Sequence, residues 1–312
     1  TLNQEERFRT LGAYAMQDLT VNAWRFHIGT RFDAVKLEAV DRFGADGNQS
    51  GDLSFTRFSP MAGASLMLGT ANSVYAQVST SFETPTLSEL STNPTGQGGF
   101  NENLDPQRAI NFEVGLKGGF TQKFRYELAG FLINLENELV PFELEDFPGR
   151  TFFRNAGSSQ RQGVEAQVQY MANKDLSFIA TYTFSDFLYD SYLTPDGDFN
   201  GNHLPAIPQH MALLGANLNL SNGFYTKAWL RWNSSLFADD ANETEIDGFS
   251  VLNVRVGYEK AFNGWSIAPF FGVNNLLGTE YFDNIRINAF GGRYYEPAPV
   301  EAFFGGIAIS IN

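Results

Sequence analysis

Few residues of this 312-residue sequence have types and spacings that suggest chemistry. Asp196-Gly197-Asp198-Phe199-Asn200-Gly201 matches the D-x-D-x-N-G start of a calcium loop. Such a loop needs several oxygen ligands and a bidentate Glu at its twelfth position. That position is Ile207. Asp196, Asp198 and Asn200 therefore read first as a turn whose Asp, Asn and Gly serve the backbone, and only weakly as a calcium site. The three histidines are His27, His203 and His210. His27 alternates with Arg25 and Arg31, the pattern of a polar strand face, and His203 and His210 flank a proline-bearing segment suited to a structural role. No G-x-S-x-G element accompanies them, so no hydrolytic set is assigned and the chain is not read as an enzyme. Two groups combine arginine with rings: Arg150, Phe152, Phe153 and Arg154, and Arg286, Phe290, Arg293, Tyr294 and Tyr295. Arginine supplies charge and planar donors to an anionic chelate, and rings supply apolar contact. The same residues would also serve loop packing and salt bridges.

The elements that must position these groups are strands. In 249–258, Leu252, Val254, Val256 and Tyr258 share one face, and Asn253, Arg255 and Gly257 the other. The same alternation runs through 110–117, 163–170 and 212–220, as period-two strands require. Thirteen segments are expected, near 7–20, 22–41, 52–68, 73–83, 105–118, 122–142, 151–171, 176–190, 204–220, 223–238, 248–260, 264–286 and 294–311. Their connections alternate strictly. Tight turns such as 69–72, 172–175 and 221–223 take turns with long polar stretches near 41–52, 84–105, 143–151, 190–203, 239–247 and 286–293. The long stretches are acidic except the last. Outer-membrane barrels keep short turns on the periplasmic face and long loops outside. The fold class expected is therefore all-β, a transmembrane antiparallel up-and-down barrel.

Composition narrows the alternatives. The formal charge is −14, with no cysteine and 15% aromatic residues. Absence of cysteine removes disulfides and thiolate metal sites. Nucleic acid is excluded as a partner, because it requires clustered Lys and Arg. No apolar run approaches the roughly 20 residues of a spanning helix. Mean hydropathy is −0.22, which does not register a lipid face carried by every second residue.

Four stretches resemble the C-terminal part of the TonB-dependent outer-membrane receptors. Ser81-Phe82-Glu83-Thr84-Pro85-Thr86-Leu87-Ser88-Glu89-Leu90, followed by Gly99 to Pro106, is similar to the family's F-x-x-P-x-x-x-E-L … N-x-x-L-x-P-E signature, with Gln107 where Glu is usual. Asn155-Ala156-Gly157 leading to Gly163-Val164-Glu165 resembles its N-A-G … G-v-E strand start. Gly201-Asn202-His203-Leu204-Pro205-Ala206-Ile207-Pro208-Gln209-His210 resembles G-N-x-L-P-x-I-P-x-H. Asn275-Leu276 with Tyr281 matches N-L-x-x-x-x-Y.

The resemblance implies a plugged barrel of about 22 strands. Residues 1–312 would supply its C-terminal thirteen or so, with the N-terminal plug and first strands absent from this chain. It implies uptake of an iron–siderophore complex, or of cobalamin or a sugar. A self-contained channel or barrel enzyme is the rival from another class. It implies no cofactor, and location in the outer membrane of a Gram-negative bacterium. Partners would be a ferric siderophore, outer-membrane lipid and lipopolysaccharide, the barrel-assembly machinery, and the TonB complex through the plug. Asp239, Asp240, Glu243, Glu245 and Asp247 read as a solvated face, or as bridges through divalent ions to lipopolysaccharide phosphates.

Overall fold

The computed structural model describes residues 3–43, 50–94, 100–194, 197–293 and 295–311, and at Phe290 the backbone alone. In chain order the elements are β1 (Gln4–Val21), β2 (Trp24–Asp41), β3 (Gly51–Leu68), β4 (Asn72–Glu83), α1 (Leu87–Leu90), β5 (Gln107–Thr121) and β6 (Phe124–Glu136). A short hairpin follows, β7 (Leu139–Glu143) with β8 (Thr151–Asn155). Then come β9 (Ser158–Met171), β10 (Leu176–Ser191), the small pair β11 (Leu193–Thr194) and β12 (Gly197–Asp198), β13 (His210–Asn219) and β14 (Phe224–Asn233). The chain ends with β15 (Leu236–Phe237), β16 (Glu245–Ile246), β17 (Phe249–Tyr258), β18 (Lys260–Phe262), β19 (Trp265–Asn274), β20 (Phe282–Ile285), β21 (Tyr295–Pro297) and β22 (Ala302–Ile311).

One 14-stranded antiparallel sheet joins β1 to β6, β9, β10, β13, β14, β17, β18, β19 and β22, each paired with its neighbour in sequence. β18 continues β17 after Glu259, so the sheet has thirteen staves, the number expected from the hydrophobic pattern. β1 and β22 are its edges. The other strands form four two-stranded hairpins, β7–β8, β11–β12, β15–β16 and β20–β21, all within long connections.

Five expected segments are broken where the sheet hands the chain to these hairpins, 223–238 among them, between β14 and β15. The 122–142 run stops at Asn137, whose φ is 57°, and 264–286 stops at Asn275, with φ 54°. Asn tolerates this left-handed backbone better than most residues. The 151–171 run breaks at Ala156-Gly157, and 294–311 breaks between β21 and β22. The 204–220 segment becomes a strand only at His210. Pro205 and Pro208 have no N–H to donate, and Ala206 has φ 61°.

Register settles the faces, because directly paired residues point the same way. Val74, Leu116, Leu128, Ala166, Tyr182 and Ala212 form one cross-strand row. The adjacent row holds Ser73, Lys117, Glu127, Gln167 and Thr181. The apolar face is open to its surroundings: Val114 is 60% exposed and Phe303 69%. A water-facing sheet does not keep such a surface, since each large apolar side chain removed from water contributes about 1.5–3 kcal/mol. Aromatic pairs border this face at both ends. Trp24–Phe26, Phe224–Tyr258 and Phe262–Trp265 lie at the short-turn end, and Phe32–Phe58 and Phe184–His210 toward the other. This is the two-girdle pattern of a membrane barrel wall.

The polar face is lined by flat-lying rings. Phe131 crosses Gly163, where a Cβ would sit 2.6 Å from the ring and 2.3 Å from the Phe184 carbonyl oxygen. Trp229 covers Gly215 in the same way. Glycine at these positions keeps large side chains against the wall. His27 faces this side, paired with Gly63, as its alternation with Arg25 and Arg31 implies.

Candidate functional site

The long-connection end is where apolar residues pack, in two clusters. The first joins Val35, Leu37 and Ala39 of β2 to Leu90, Phe100 and Leu104 of the 84–106 connection. α1 starts on a capping box: Glu89 N–H donates to Thr86 Oγ1 at 3.3 Å, and Thr86 N–H to Glu89 Oε2 at 2.6 Å. Pro85 and Leu90 are fully buried there. The second cluster gathers Val140, Ala156, Tyr189, Tyr192 and Leu204.

The four motifs hold this end together. Asn155 Nδ2 donates to the carbonyls of Asp105 (2.9 Å) and Asn137 (2.7 Å), and its Oδ1 accepts from Asp105 N–H (2.8 Å). Gly157 abuts Ser191, whose carbonyl oxygen would lie 2.1 Å from a Cβ. Gly201 N–H donates to the Tyr189 carbonyl, and Asn202 Nδ2 to the Asp240 carbonyl at 2.8 Å. Pro205 and Pro208 are buried. Asn275, 2% exposed, exchanges hydrogen bonds with Thr279 through its amide, while its N–H donates to Asn253 Oδ1 at 2.9 Å. Leu276 N–H reaches the Leu252 carbonyl, and Tyr281 stacks on Phe249 at 4.4 Å. Glu165 stands apart from this end. It lies on the polar face of β9, opposite Ala129 and Thr183.

The two arginine–aromatic groups meet through an acid that the sequence showed only as part of an acidic turn. Glu143, its side chain 4% exposed, pairs with Arg293 at 3.2 Å and Arg286 at 3.5 Å. It also accepts from Gly149 N–H at 2.9 Å. Arg154 lies over the rings of Phe142 (4.6 Å) and Tyr192 (5.6 Å), and its Nε donates to Tyr192 Oη at 2.9 Å. Phe152 is fully buried between Phe142 and Phe147, with Arg150 across its ring at 5.1 Å. Phe153 points the other way and packs on the first cluster. Tyr295 packs tilted against Phe282, with ring centroids 4.6 Å apart. Tyr294 and the Phe290 side chain lie outside the described residues.

A second tie escaped the sequence reading. Asn288 (φ 53°) donates through Nδ2 to Asp240 Oδ2 (2.9 Å) and to the Pro141 carbonyl (3.1 Å), and accepts from Asp240 N–H. Tyr189 Oη donates to Asp240 Oδ1 at 2.7 Å. Burial raises the Asp240 pKa above the ordinary aspartate value, although Tyr189 and Asn288 donate to its carboxylate. Burial likewise pushes the Tyr192 hydroxyl up. The one sequence signal for this network was a polar Asn within an otherwise cationic and aromatic loop.

The calcium-like run behaves as a turn where it is described. Asn200 Oδ1 accepts from Tyr192 N–H (2.6 Å), and Asp198 Oδ1 from Asn200 N–H (3.1 Å). Asp196 lies outside the described residues. Among the described residues no three His, Asp or Glu side chains are placed to hold a metal. His210 reaches Tyr182 Oη through Nδ1 at 2.8 Å on the apolar face, and His203 N–H donates to Asn242 Oδ1.

A girdled antiparallel wall with hairpins stacked over one end defines an outer-membrane β-barrel protein. The family model "TonB dependent receptor-like, beta-barrel" matches residues 1–276, and the chain belongs to that family, whose members reside in the outer membrane of Gram-negative bacteria. It is 26% identical over 263 residues to the ferrichrome outer membrane transporter/phage receptor of Escherichia coli (strain K12), covering 81% of this chain and 32% of that relative. It is 23% identical over 287 residues to the ferrioxamine B receptor of Salmonella typhimurium (strain SL1344), covering 89% and 38%. The fold matches the ferric citrate transporter FecA in its unliganded form with a TM-score of 0.80 at 19% identity, over 99% of this chain and 46% of that one. The siderophore receptor PiuA from Acinetobacter baumannii gives 0.78. The chain thus spans about a third of the length of the curated relatives it matches. These relatives are transporters and receptors rather than enzymes.

Proposed function

We propose that this chain forms the later staves and outer loops of a TonB-dependent receptor that takes up an iron–siderophore complex. The observation that carries the reading is the outer cap. Arg150, Arg154, Arg286 and Arg293 stand among Phe142, Phe152, Tyr192 and Tyr295 above a polar-faced wall. Rings of this kind suit a compact chelate with apolar edges. The names of the relatives support an iron chelate over cobalamin or a sugar. The share of each relative that is covered, and the unpaired edges of β1 and β22, support a wall completed by further staves. In that reading residues 1–312 are the C-terminal barrel portion, a plug fills the lumen, and the TonB complex acts on the plug from the periplasm. The apolar band would meet lipid and lipopolysaccharide, and the assembly machinery would insert the barrel.

Growth under iron limitation tests this. Cells lacking the full-length receptor should lose growth on at least one ferric siderophore and regain it on complementation. Unchanged growth across hydroxamate, catecholate and carboxylate siderophores, with loss of cobalamin or sugar uptake instead, would transfer the function to that ligand.

A further inference from the structure

The chain's charge is not spread over the molecule. The six long connections, 42–50, 84–106, 137–157, 192–209, 234–248 and 275–301, hold nineteen of the 35 acidic residues but only five of the 21 basic ones, which accounts for the whole net charge of −14. In the staves and short turns acids and bases cancel. The last connection, basic when only 286–293 is considered, is itself acidic over its full span, with Glu280, Asp283, Glu296 and Glu301 against Arg286 and Arg293. The five loop arginines are also each engaged by a partner within the protein, while keeping part of their side chains exposed. Glu143 holds Arg286 and Arg293, Glu5 holds Arg42, and Arg150 and Arg154 lie across aromatic rings. By contrast Glu243, Glu245 and Asp247 are exposed.

A mouth lined by one sign of charge concentrates solutes of the opposite sign and slows those of its own. We infer that the cargo admitted by this face is a metal chelate without net negative charge, either neutral or cationic, and that Glu143 sets this selectivity by holding Arg286 and Arg293. This rests on the chelate-uptake reading above. It reverses the expectation that the loop arginines serve an anionic chelate.

The test measures association of three ferric complexes with the purified full-length receptor at low and high salt: a cationic linear trihydroxamate, a neutral cyclic trihydroxamate and a trianionic tris-catecholate. The cationic or the neutral complex should bind fastest. Raising salt should slow the cationic complex by about tenfold or more, leave the neutral one unchanged and speed the anionic one. The triple substitution Glu243→Gln, Glu245→Gln, Asp247→Asn should narrow the gap between cationic and anionic complexes. Glu143→Gln should speed the anionic complex by releasing both arginines. If Glu143→Gln fails to fold, the triple substitution at exposed positions still decides the matter. Fastest binding of the trianionic complex, slowed by salt, would overturn the inference while leaving chelate uptake standing. Binding of none of the three would overturn this inference, and, together with growth on no ferric siderophore in the test above, the uptake reading as well.

Discussion

At the scale of single residues, the motif positions act as fasteners. Asn155 makes three hydrogen bonds that tie 105 and 137 to the start of β9. Asn155→Ala should cost about 1–2 kcal/mol, since partly exposed backbone groups lose three hydrogen bonds but can turn to water. Hydrogen exchange in 100–106 and 137–157 would report it as faster opening there than in β4 or β5. Asp240 offers a pH signature. Its folded pKa is raised by burial, so the folded cap binds a proton more tightly than the unfolded chain does. Cap stability should therefore fall as pH rises through the window above the ordinary aspartate pKa. Asp240→Asn should flatten that dependence in thermal unfolding followed at the cap. A slope of opposite sign would contradict the burial argument.

At the scale of elements, each stave has two chemically distinct sides, and substitutions should respect them. Leu214→Arg and Val254→Arg, on the apolar face, should each cost about 2–4 kcal/mol and lower the assembled fraction. Asn217→Arg, on the polar face, should be tolerated. Asn253 shares that face but accepts the Asn275 N–H, so Asn253→Arg should be worse than Asn217→Arg. A folding assay that ranks Asn217→Arg with Leu214→Arg would refute the face assignment. Gly163→Val should cost about 1–3 kcal/mol by driving Phe131 off the wall. Staves were legible in the sequence because period-two burial is a local property. Their outer limits were not, since Asn137, Ala206 and Asn275 end the ladder by adopting positive φ, which no hydrophobic pattern encodes.

At the scale of the whole molecule, three long connections, 137–157, 234–248 and 275–301, are tied into a single cap. Asn288 reaches Asp240 and Pro141, and Arg286 and Arg293 reach Glu143, so three connections are joined by side chains rather than by strands. Loosening one tie should therefore loosen its neighbours. Asn288→Ala is expected to raise protease cleavage within 143–150 and 239–244 together, while the girdled staves stay protected. Cleavage confined to the last loop would show the connections to be independent.

The sequence by itself determined the wall. Alternating faces, the count of thirteen staves and the side on which every connection lies follow from period-two hydrophobicity and turn chemistry, which act between neighbours. It also located both arginine–aromatic groups. Only the tertiary structure decided what those arginines do. Glu143 and Arg293 are 150 positions apart, and only the fold brings their connections together. Ion pairs across such a span depend on where folded loops meet, so a sequence can display Arg286 and Arg293 without showing that the Glu143 carboxylate pairs with both.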